Sequence, residues 1–455
     1  MYLGLCFGEL SNEIGTVWAV SVMKKMLREE FLENKWKSYP IFDANSENWG
    51  RFYSWLSESD LELLSYRSDE FHQLKKMVIK NTEEINLWKE VLQKGDLISI
   101  NSHSQITLLS PNLSDSEYTD FVPLNQWAYL QLWAEYIRLV RLFFNKNNFL
   151  EVSTSLIVSH PGSEPTLDPF KIKLKSGKQV KDKYLPTSPE LNLKKVLTTG
   201  VPKIFEITKS FRNNERSERH CPEFWILEWY RNFSDLKSIK KDVQELILFL
   251  QENLVKYLNG KSNSSFSLDL SKVKLNQEKV FSSISFKDFL FQKYQFHFEP
   301  TTTYQELENF CKKQGVQYLG LSSMEDLFSV LVMETIESKL DPNQITCLEK
   351  YPPYAAALAR TDSSGWAERF EVYWQGLEIA NAFFELNDPT EQKKRFEIDN
   401  QLKLKNNLEE IQIDEDFLFK LNQGLPPCSG IALGLERLFM ALFGITNIHD
   451  LKIKS

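Results

Sequence analysis

Apolar and polar positions are patterned most clearly midway along the chain. Lys203-Ile204-Phe205-Glu206-Ile207 leads into Phe211-Arg212, a polar loop follows, and a second apolar-aromatic run opens at Pro222-Glu223-Phe224. Two such runs about a polar loop predict a long antiparallel hairpin, with an arginine ending one strand and an aromatic opening the other. Ala367–Trp374 and the run from Gly376, parted by the turn signal Gln375-Gly376, predict a second hairpin. Ile431-Ala432-Leu433 predicts a short strand that meets Gly434, after which Leu435, Leu438, Phe439 and Leu442 form one face of a helix. Thr187-Ser188-Pro189-Glu190 opens another helix, with Ser188 as its cap and Pro189 in the first turn.

Longer helices show the same period. Leu130, Trp133, Ile137, Val140 and Phe144 share a face, and Asn147-Asn148 then turns the chain into Phe149–Val152. Leu236 to Leu258 carries Val243, Leu246, Leu250 and Leu254 on one side, before a flexible break at Asn259–Ser265. Residues 266–345 are expected to be an inserted helical region whose aromatic stripes are core. Residues 1–120 form a separate α+β domain, joined by the polar, acidic stretch Asn112–Asn125 to residues 121–455. Gly15–Val20 is strand-like, Ile85–Val91 helix-like, and Lys94–Ile100 and Gln105–Pro111 end the domain as strands. That ending resembles the close of an OB barrel, but the rest, poor in glycine, does not read as a barrel. An unrelated small α+β domain is the alternative.

Length and composition change this picture little. A chain of 455 residues with 42% hydrophobic content can bury a large core and hold two domains. The first 25 residues are interrupted by Glu9, Asn12 and Glu13 and lack a positive start, so they do not read as a signal peptide. No run of 18 apolar residues suggests a membrane span. The five cysteines form no C-x-x-C pair, which suits a reducing cytoplasm and argues against structural zinc. Of the net charge of −8, residues 1–120 hold most, with 12 Lys and Arg against 19 Asp and Glu. A module that grips RNA draws its affinity from phosphate contacts and is expected to be basic.

Four stretches carry candidate chemistry. Arg212 offers a planar fork for a phosphate or carboxylate, and Phe224 a flat face for a purine. Glu371 and Glu378 would approach each other across the second hairpin, as Mg²⁺ bound through phosphates requires. Glu385, among aromatic and apolar residues, calls for a cationic partner if buried. Gly434 lets a ligand approach the backbone, and Arg437 in a first helical turn opposes the helix dipole unless an anion is near. Taken singly, each has a plainer reading: a surface arginine, solvated glutamates, a strand–helix packing unit or a common helix start.

Together and in this order, they resemble the motifs of class II aminoacyl-tRNA synthetases, with PEF-x-x-LEWYR resembling the lysine branch. Ser163–Phe170, Ala367–Trp374 and the GLPPCSGIALGLERL ending are similar to the elongation factor P–(R)-β-lysine ligase family, truncated paralogues of lysyl-tRNA synthetase. A true lysyl-tRNA synthetase is expected to carry glutamate where Tyr354 stands. The resemblance implies an α+β fold, an antiparallel sheet flanked by helices. It implies a cytoplasmic homodimer using ATP and Mg²⁺, with lysine or β-lysine as substrate and elongation factor P, rather than tRNA, as acceptor. Arg212 and Arg437 become catalytic. ATP falls to Arg212, Asn213, Asn214, Cys221, Phe224, Glu378, Ile379, Gly434 and Arg437. The amino acid falls to Ser188, Pro189, Glu190, Tyr230, Asn381 and Glu385, and the metal to Glu371 and Glu378. Four positions depart from the pattern: Asn214 and Cys221, which bear on ATP, and Ala382 and Phe384, which are expected to narrow the amino-acid pocket. Ser155 replaces the usual proline of the dimer motif. A ligase charging tRNA and a non-catalytic regulatory paralogue remain as alternatives.

Overall fold

The computed structural model describes residues 48–55, 60–66, 74–80, 92, 96–100, 106–110, 124–162, 164–261, 276, 281–318, 323–405 and 407–451. The chain divides into two compact units, Met1–Gln131 with Gly260–Asp269, and Leu132–Asn259 with Leu270–Ser455. The described strands of the first unit are β1 Asn48–Trp55, β2 Asp60–Tyr66, β3 Leu74–Lys80, β4 Leu97–Ile100 and β5 Ile106–Ser110. They pair antiparallel in the order β3-β2-β1-β4-β5. An OB fold also has five strands, and among the described residues β3 and β5 are the unpaired edges of this sheet. The strand expected at Gly15–Val20 and the helix at Ile85–Val91 lie outside the described residues.

The second unit is built on an eight-stranded sheet. Its strands, in spatial order, are β11 Phe281–Ser285, β12 Ile345–Tyr351, β13 Ala367–Trp374, β14 Leu377–Phe384, β15 Cys428–Gly434, β10 Glu223–Asn232, β9 Lys203–Phe211 and β6 Leu150–Glu151, antiparallel except for the pairs β11–β12 and β6–β9. The first predicted hairpin is β9 Lys203–Phe211 and β10 Glu223–Asn232. The second is β13 Ala367–Trp374 and β14 Leu377–Phe384. Gln375 and Gly376 both have positive φ, 53° and 70°. A two-residue turn matched to strand twist demands that pair of conformations. β15 Cys428–Gly434 runs into helix α9 Leu435–Phe443 and lies between the two hairpins, pairing with β10 and β14.

Helix α1 is Leu124–Lys146, and its part from Leu132 on packs against the back of this sheet. Its buried stripe is Leu132, Tyr136, Leu139, Val140 and Phe143, rotated from the predicted row, so that Trp133 and Ile137 are half-buried. Tyr136 sets the rotation: its hydroxyl donates to the Leu435 carbonyl at 3.2 Å and its ring meets Phe439 edge-on. α3 Leu236–Lys261 buries Val243, Leu246, Leu250 and Leu254 as predicted. The aromatic stripes of the insertion form their own core, with Phe286, Phe298, Phe328 and Tyr351 in mutual contact. This region is not wholly helical as expected: Phe281–Ser285 is the edge strand β11, which pairs with β12 Ile345–Tyr351.

The back-face core centres on Phe144. Its ring stacks on Phe205 at 4.8 Å and packs against Phe149 at 5.1 Å and Trp229 at 5.2 Å. Phe144→Ala is expected to cost about 3–5 kcal/mol, the range for emptying a fully buried aromatic site. Denaturant unfolding measures it; a loss below about 1 kcal/mol would mean the neighbouring rings refill the space.

Candidate active site

Antiparallel pairing aligns alternate residues into rows on the concave face of the sheet. One row runs Glu371–Asn381–Ala432–Glu228–Glu206 across five strands, each member opposite the next. The adjacent row runs Arg369–Phe383–Gly430–Tyr230. Above them lies a cavity of about 440 Å³, within the size range of small-molecule sites. Ser188, Glu190, Arg212, His220, Cys221, Phe224, Glu371, Glu378, Ile379, Asn381, Gly434 and Arg437 are among its lining.

Glu378 reaches this face through an irregularity. The register shifts between Val372 and Tyr373, which pair with Ala380 and Glu378 in turn, leaving Ile379 as the extra residue. Regular pairing would send Glu378 to the back of the sheet with Ala380. A bulge inverts the alternation and re-aims the side chain. Glu378 therefore shares a face with Glu371 and Tyr373.

At one end of the cavity the Arg212 guanidinium lies over the Phe224 ring at 5.1 Å. The Arg212 N–H donates to the Pro222 carbonyl at 2.8 Å and closes the hairpin behind them. Arg437, in the first turn of α9, donates to the Glu378 carbonyl at 2.9 Å and lies 3.5 Å from its carboxylate. This is the anionic neighbour that its position against the helix dipole demands. Its other terminal nitrogen meets His220 Nε2 at 2.6 Å. Burial, then the Arg437 charge, hold His220 below its usual range. Glu371 is paired with Arg369 and accepts from the Tyr373 hydroxyl at 2.6 Å. Burial and the Glu371 charge push Glu378 up to about 7. Among the described residues no group of three or more metal-binding side chains occurs. Two carboxylates facing one cavity instead suit Mg²⁺, which is held by one or two carboxylates plus substrate phosphates.

A buried charge cluster closes the other end. Lys194, in helix α2 Glu190–Leu197, is fully buried and bonds Glu190 at 2.5 Å and Glu385 at 2.6 Å. The cationic partner that Glu385 required is therefore a residue of the chain itself. Glu228, also buried, accepts from Ser188 Oγ at 2.6 Å and from the Tyr230 hydroxyl at 2.9 Å. Burial and the Glu190 charge push Glu228 up to about 8. Burial likewise raises Glu385 to about 8, against the pull of Lys194. Burial pulls Lys194 down, but Glu190 and Glu385 outweigh it and leave it raised. Gly430 is required here: a Cβ would stand 2.1 Å from Tyr230 Cε1 and 2.6 Å from Glu385 Oε1.

Several expectations from sequence meet a different geometry. Pro189, Tyr230 and Glu385 stand behind the cavity wall rather than in it. Asn213 bonds Asp168 at 2.8 Å and faces a neighbouring cleft, and Asn214 is exposed outside the lining. Ser188 does not cap α2 by its expected geometry; Pro189 holds the cap position, while Ser188 Oγ accepts from the Glu190 N–H at 3.0 Å. Ala382 and Phe384 do not narrow the cavity, because strand alternation puts them opposite Asn381, Phe383 and Glu385. Phe384 instead carries the Arg360 guanidinium, 3.4 Å from its ring. Lys194, Glu228, Arg369, His220 and Gly430 were not singled out from sequence. Glu228 and Gly430 stand at alternate positions of strands already predicted, and that spacing was a usable signal.

The raised carboxylates fix how stability varies with pH. Glu228 titrates near 4.5 when unfolded and at about 8 when folded. Its contribution is fully present below the lower value and is lost as pH rises through the upper one. The melting temperature is expected to fall between about pH 5 and pH 8, and Glu228→Gln should flatten that fall. An unchanged slope in the variant would exclude Glu228 as its source.

Comparison with known proteins bears on this arrangement. Residues 113–453 match the family described as tRNA synthetases class II (D, K and N). An elongation factor P–(R)-beta-lysine ligase of Avibacterium paragallinarum is 34% identical over 322 residues, covering 70% of this chain and 92% of the relative. One of the same name from Haemophilus ducreyi is 33% identical over 315 residues, covering 68% and 88%. A lysine–tRNA ligase of Blochmanniella pennsylvanica is 34% identical over 322 residues, covering 68% of this chain and 60% of the relative. The eight-stranded sheet, the two hairpins and the strand–helix unit that surround the cavity all lie within the matched span, and the chain belongs to the class II tRNA synthetase family.

Proposed function

We propose that the chain activates lysine or β-lysine with ATP as an aminoacyl-adenylate and passes it to a lysine amine of elongation factor P. One observation carries the reading. Glu190 and Glu385 pair with a single resident ammonium, Lys194, and Glu228 is coupled to Glu190, at one end of a cavity whose other end holds Arg212, Phe224 and Arg437. Carboxylate in excess of cation suits a substrate that brings two ammonium groups. An arginine–aromatic pair suits a nucleotide.

Each residue then has a task. Phe224 and Arg437 hold the adenine between them, and Arg212 clamps the α-phosphate beside the substrate carboxylate. Glu371 and Glu378 would hold Mg²⁺, which would supply charge neutralisation for the phosphates. Glu190 takes the substrate amino group from the cavity wall, and Glu385 with Tyr230, standing behind that wall, supplies the negative charge that the ε-ammonium meets. Lys194 keeps both carboxylates aimed before substrate arrives. A carboxylate oxygen attacks the α-phosphorus in line, and the bond to pyrophosphate breaks. The rate comes from positioning and charge neutralisation, without a resident base. The acceptor amine, once deprotonated, attacks the adenylate carbonyl, AMP departs, and its phosphate takes a proton. The enzyme works in the cytoplasm as a homodimer formed through α1 and β6 Leu150–Glu151. A second reading, transfer to tRNA, is favoured by the relative named as a lysine–tRNA ligase. The acidity of residues 1–120 speaks against it.

Glu385→Gln is expected to lower lysine-dependent ATP–pyrophosphate exchange by about 100-fold or more while ATP affinity holds, because the variant leaves a buried ammonium without its counter-charge. Wild-type kinetics in that variant would exclude Glu385 from the pocket. Incubation with ATP and each lysine isomer should add one lysyl mass to elongation factor P and leave bulk tRNA uncharged. Charged tRNA with elongation factor P unchanged in mass would establish the second reading.

A further inference from the structure

A basic hairpin grows from the cavity wall. Strands β7 Lys171–Ser176 and β8 Gln179–Tyr184 form a separate two-stranded sheet. Residues 171–184 contain six lysines and one acid, Asp182, a net charge of +5 in a chain of −8. Both roots of the hairpin are tied to the site. Ahead of β7, Thr166 and Leu167 line the cavity, and Asp168 holds Asn213. After β8, the Leu185 N–H donates to the Phe170 carbonyl at 3.0 Å, and the chain then enters Ser188 and Glu190 of the cavity wall. Six extended residues reach about 20 Å.

The lysines divide by position. Near the root, Lys171 bonds Glu409 at 2.6 Å and lies 3.4 Å from Asp182, and Lys183 donates to Ser159 Oγ. Toward the tip, Lys173, Lys175, Lys178 and Lys181 are exposed, and none pairs with a carboxylate among the described residues. Residues 173–181 contain no acid. Register places Lys173 and Lys175 on one face, with Lys181 and Lys183 on the other, so the tip is cationic on both sides. Leu174 and Val180, 42% and 54% exposed, sit among them.

We propose that this hairpin is the docking surface for the acceptor protein, engaging a carboxylate-rich face of it beside the mouth of the cavity. The assignment rests on the reading that the acceptor is a protein. The chemistry of the tip favours such a partner over RNA. It has no arginine for bidentate phosphate contact and no aromatic on which a base could stack. Its exposed leucine and valine match the apolar component of a protein surface and have no counterpart on a phosphate backbone. Unpaired lysines on a projecting element raise the rate of encounter with an anionic partner, and salt suppresses that gain.

The test compares wild type with the triple variant Lys173→Glu, Lys175→Glu, Lys181→Glu, using elongation factor P as acceptor. Lysine-dependent ATP–pyrophosphate exchange should be unchanged, since none of the three lines the cavity. The acceptor KM should rise about tenfold or more at low salt with kcat retained, as for removal of steering charges. Added salt should raise the wild-type KM and barely move that of the variant, and poly-L-glutamate should compete with the acceptor in wild type only. An equal KM in the two proteins overturns the assignment, leaving the lysines as guards against edge-to-edge strand pairing. A parallel loss of exchange overturns it too, by making the hairpin a support of the cavity. Loss of tRNA binding in a gel-shift assay with the acceptor KM unchanged transfers the surface to RNA. If wild type leaves elongation factor P unmodified, the acceptor reading fails and takes the docking assignment with it; modification with equal KM removes the docking assignment alone.

Discussion

The register of one antiparallel sheet governs the site. Side chains alternate with a period of two, so a slip of one residue would turn every concave-face group to the back. The row from Glu371 to Glu206 draws one residue from each of five strands. No single strand holds more than a fragment of the site. The back face is packed by large apolar groups, with Phe205 and Trp229 against Phe144, and that packing penalises a slip in either direction. Core and site are therefore two faces of one constraint. The bulge at Ile379 is the exception that matters, because Glu378 faces Glu371 only by breaking the alternation.

The second constraint is electrostatic. Two buried carboxylates, Glu228 and Glu385, beside the half-buried Glu190 are unfavourable unless protonated or paired. The structure uses both remedies: Lys194 pairs with Glu190 and Glu385, while Glu228 is pushed toward its neutral form with Ser188 and Tyr230 hydrogen-bonded to it. This arrangement balances the buried charge within the chain and leaves capacity for added positive charge. Gly430 belongs to the same solution, since only an absent Cβ lets Tyr230 lie beside Glu385.

What could be seen in the sequence follows from the range of each interaction. Both hairpins, the turn at Gln375-Gly376 and the β15–α9 unit are local patterns, and their strands and helices fall where periodicity placed them. Arg212, Phe224, Glu371, Glu378 and Arg437 line one cavity, but they were recognised by motif, since nothing in local spacing shows that distant segments converge. Lys194 escaped notice because a lysine in the second turn of an amphipathic helix ordinarily faces water; its burial is decided by Glu385, 191 positions away. Phe384 shows the converse. Its position in a motif suggested a pocket residue, but the parity of β14 places it against Arg360. β11 is not legible in the sequence, because a five-residue edge strand inside a helical region has no period of its own.

The two ends of the cavity are made in different ways, and this bears on how substrates are told apart. At the arginine end, Arg437 is held partly by a backbone carbonyl, and Arg212 by its own main-chain bond across the hairpin. Such contacts fix position and are insensitive to neighbouring side chains. At the other end, the groups are buried side chains that hold one another through charge. A ligand lacking a second ammonium would enter the same space and leave the carboxylate excess uncompensated. Discrimination of that kind is strong, because the penalty falls on buried polar groups deprived of partners rather than on lost contact area. On the reading proposed above, selectivity among amino acids follows from the balance of charge around Lys194, and that balance can change without moving Arg212 or Arg437.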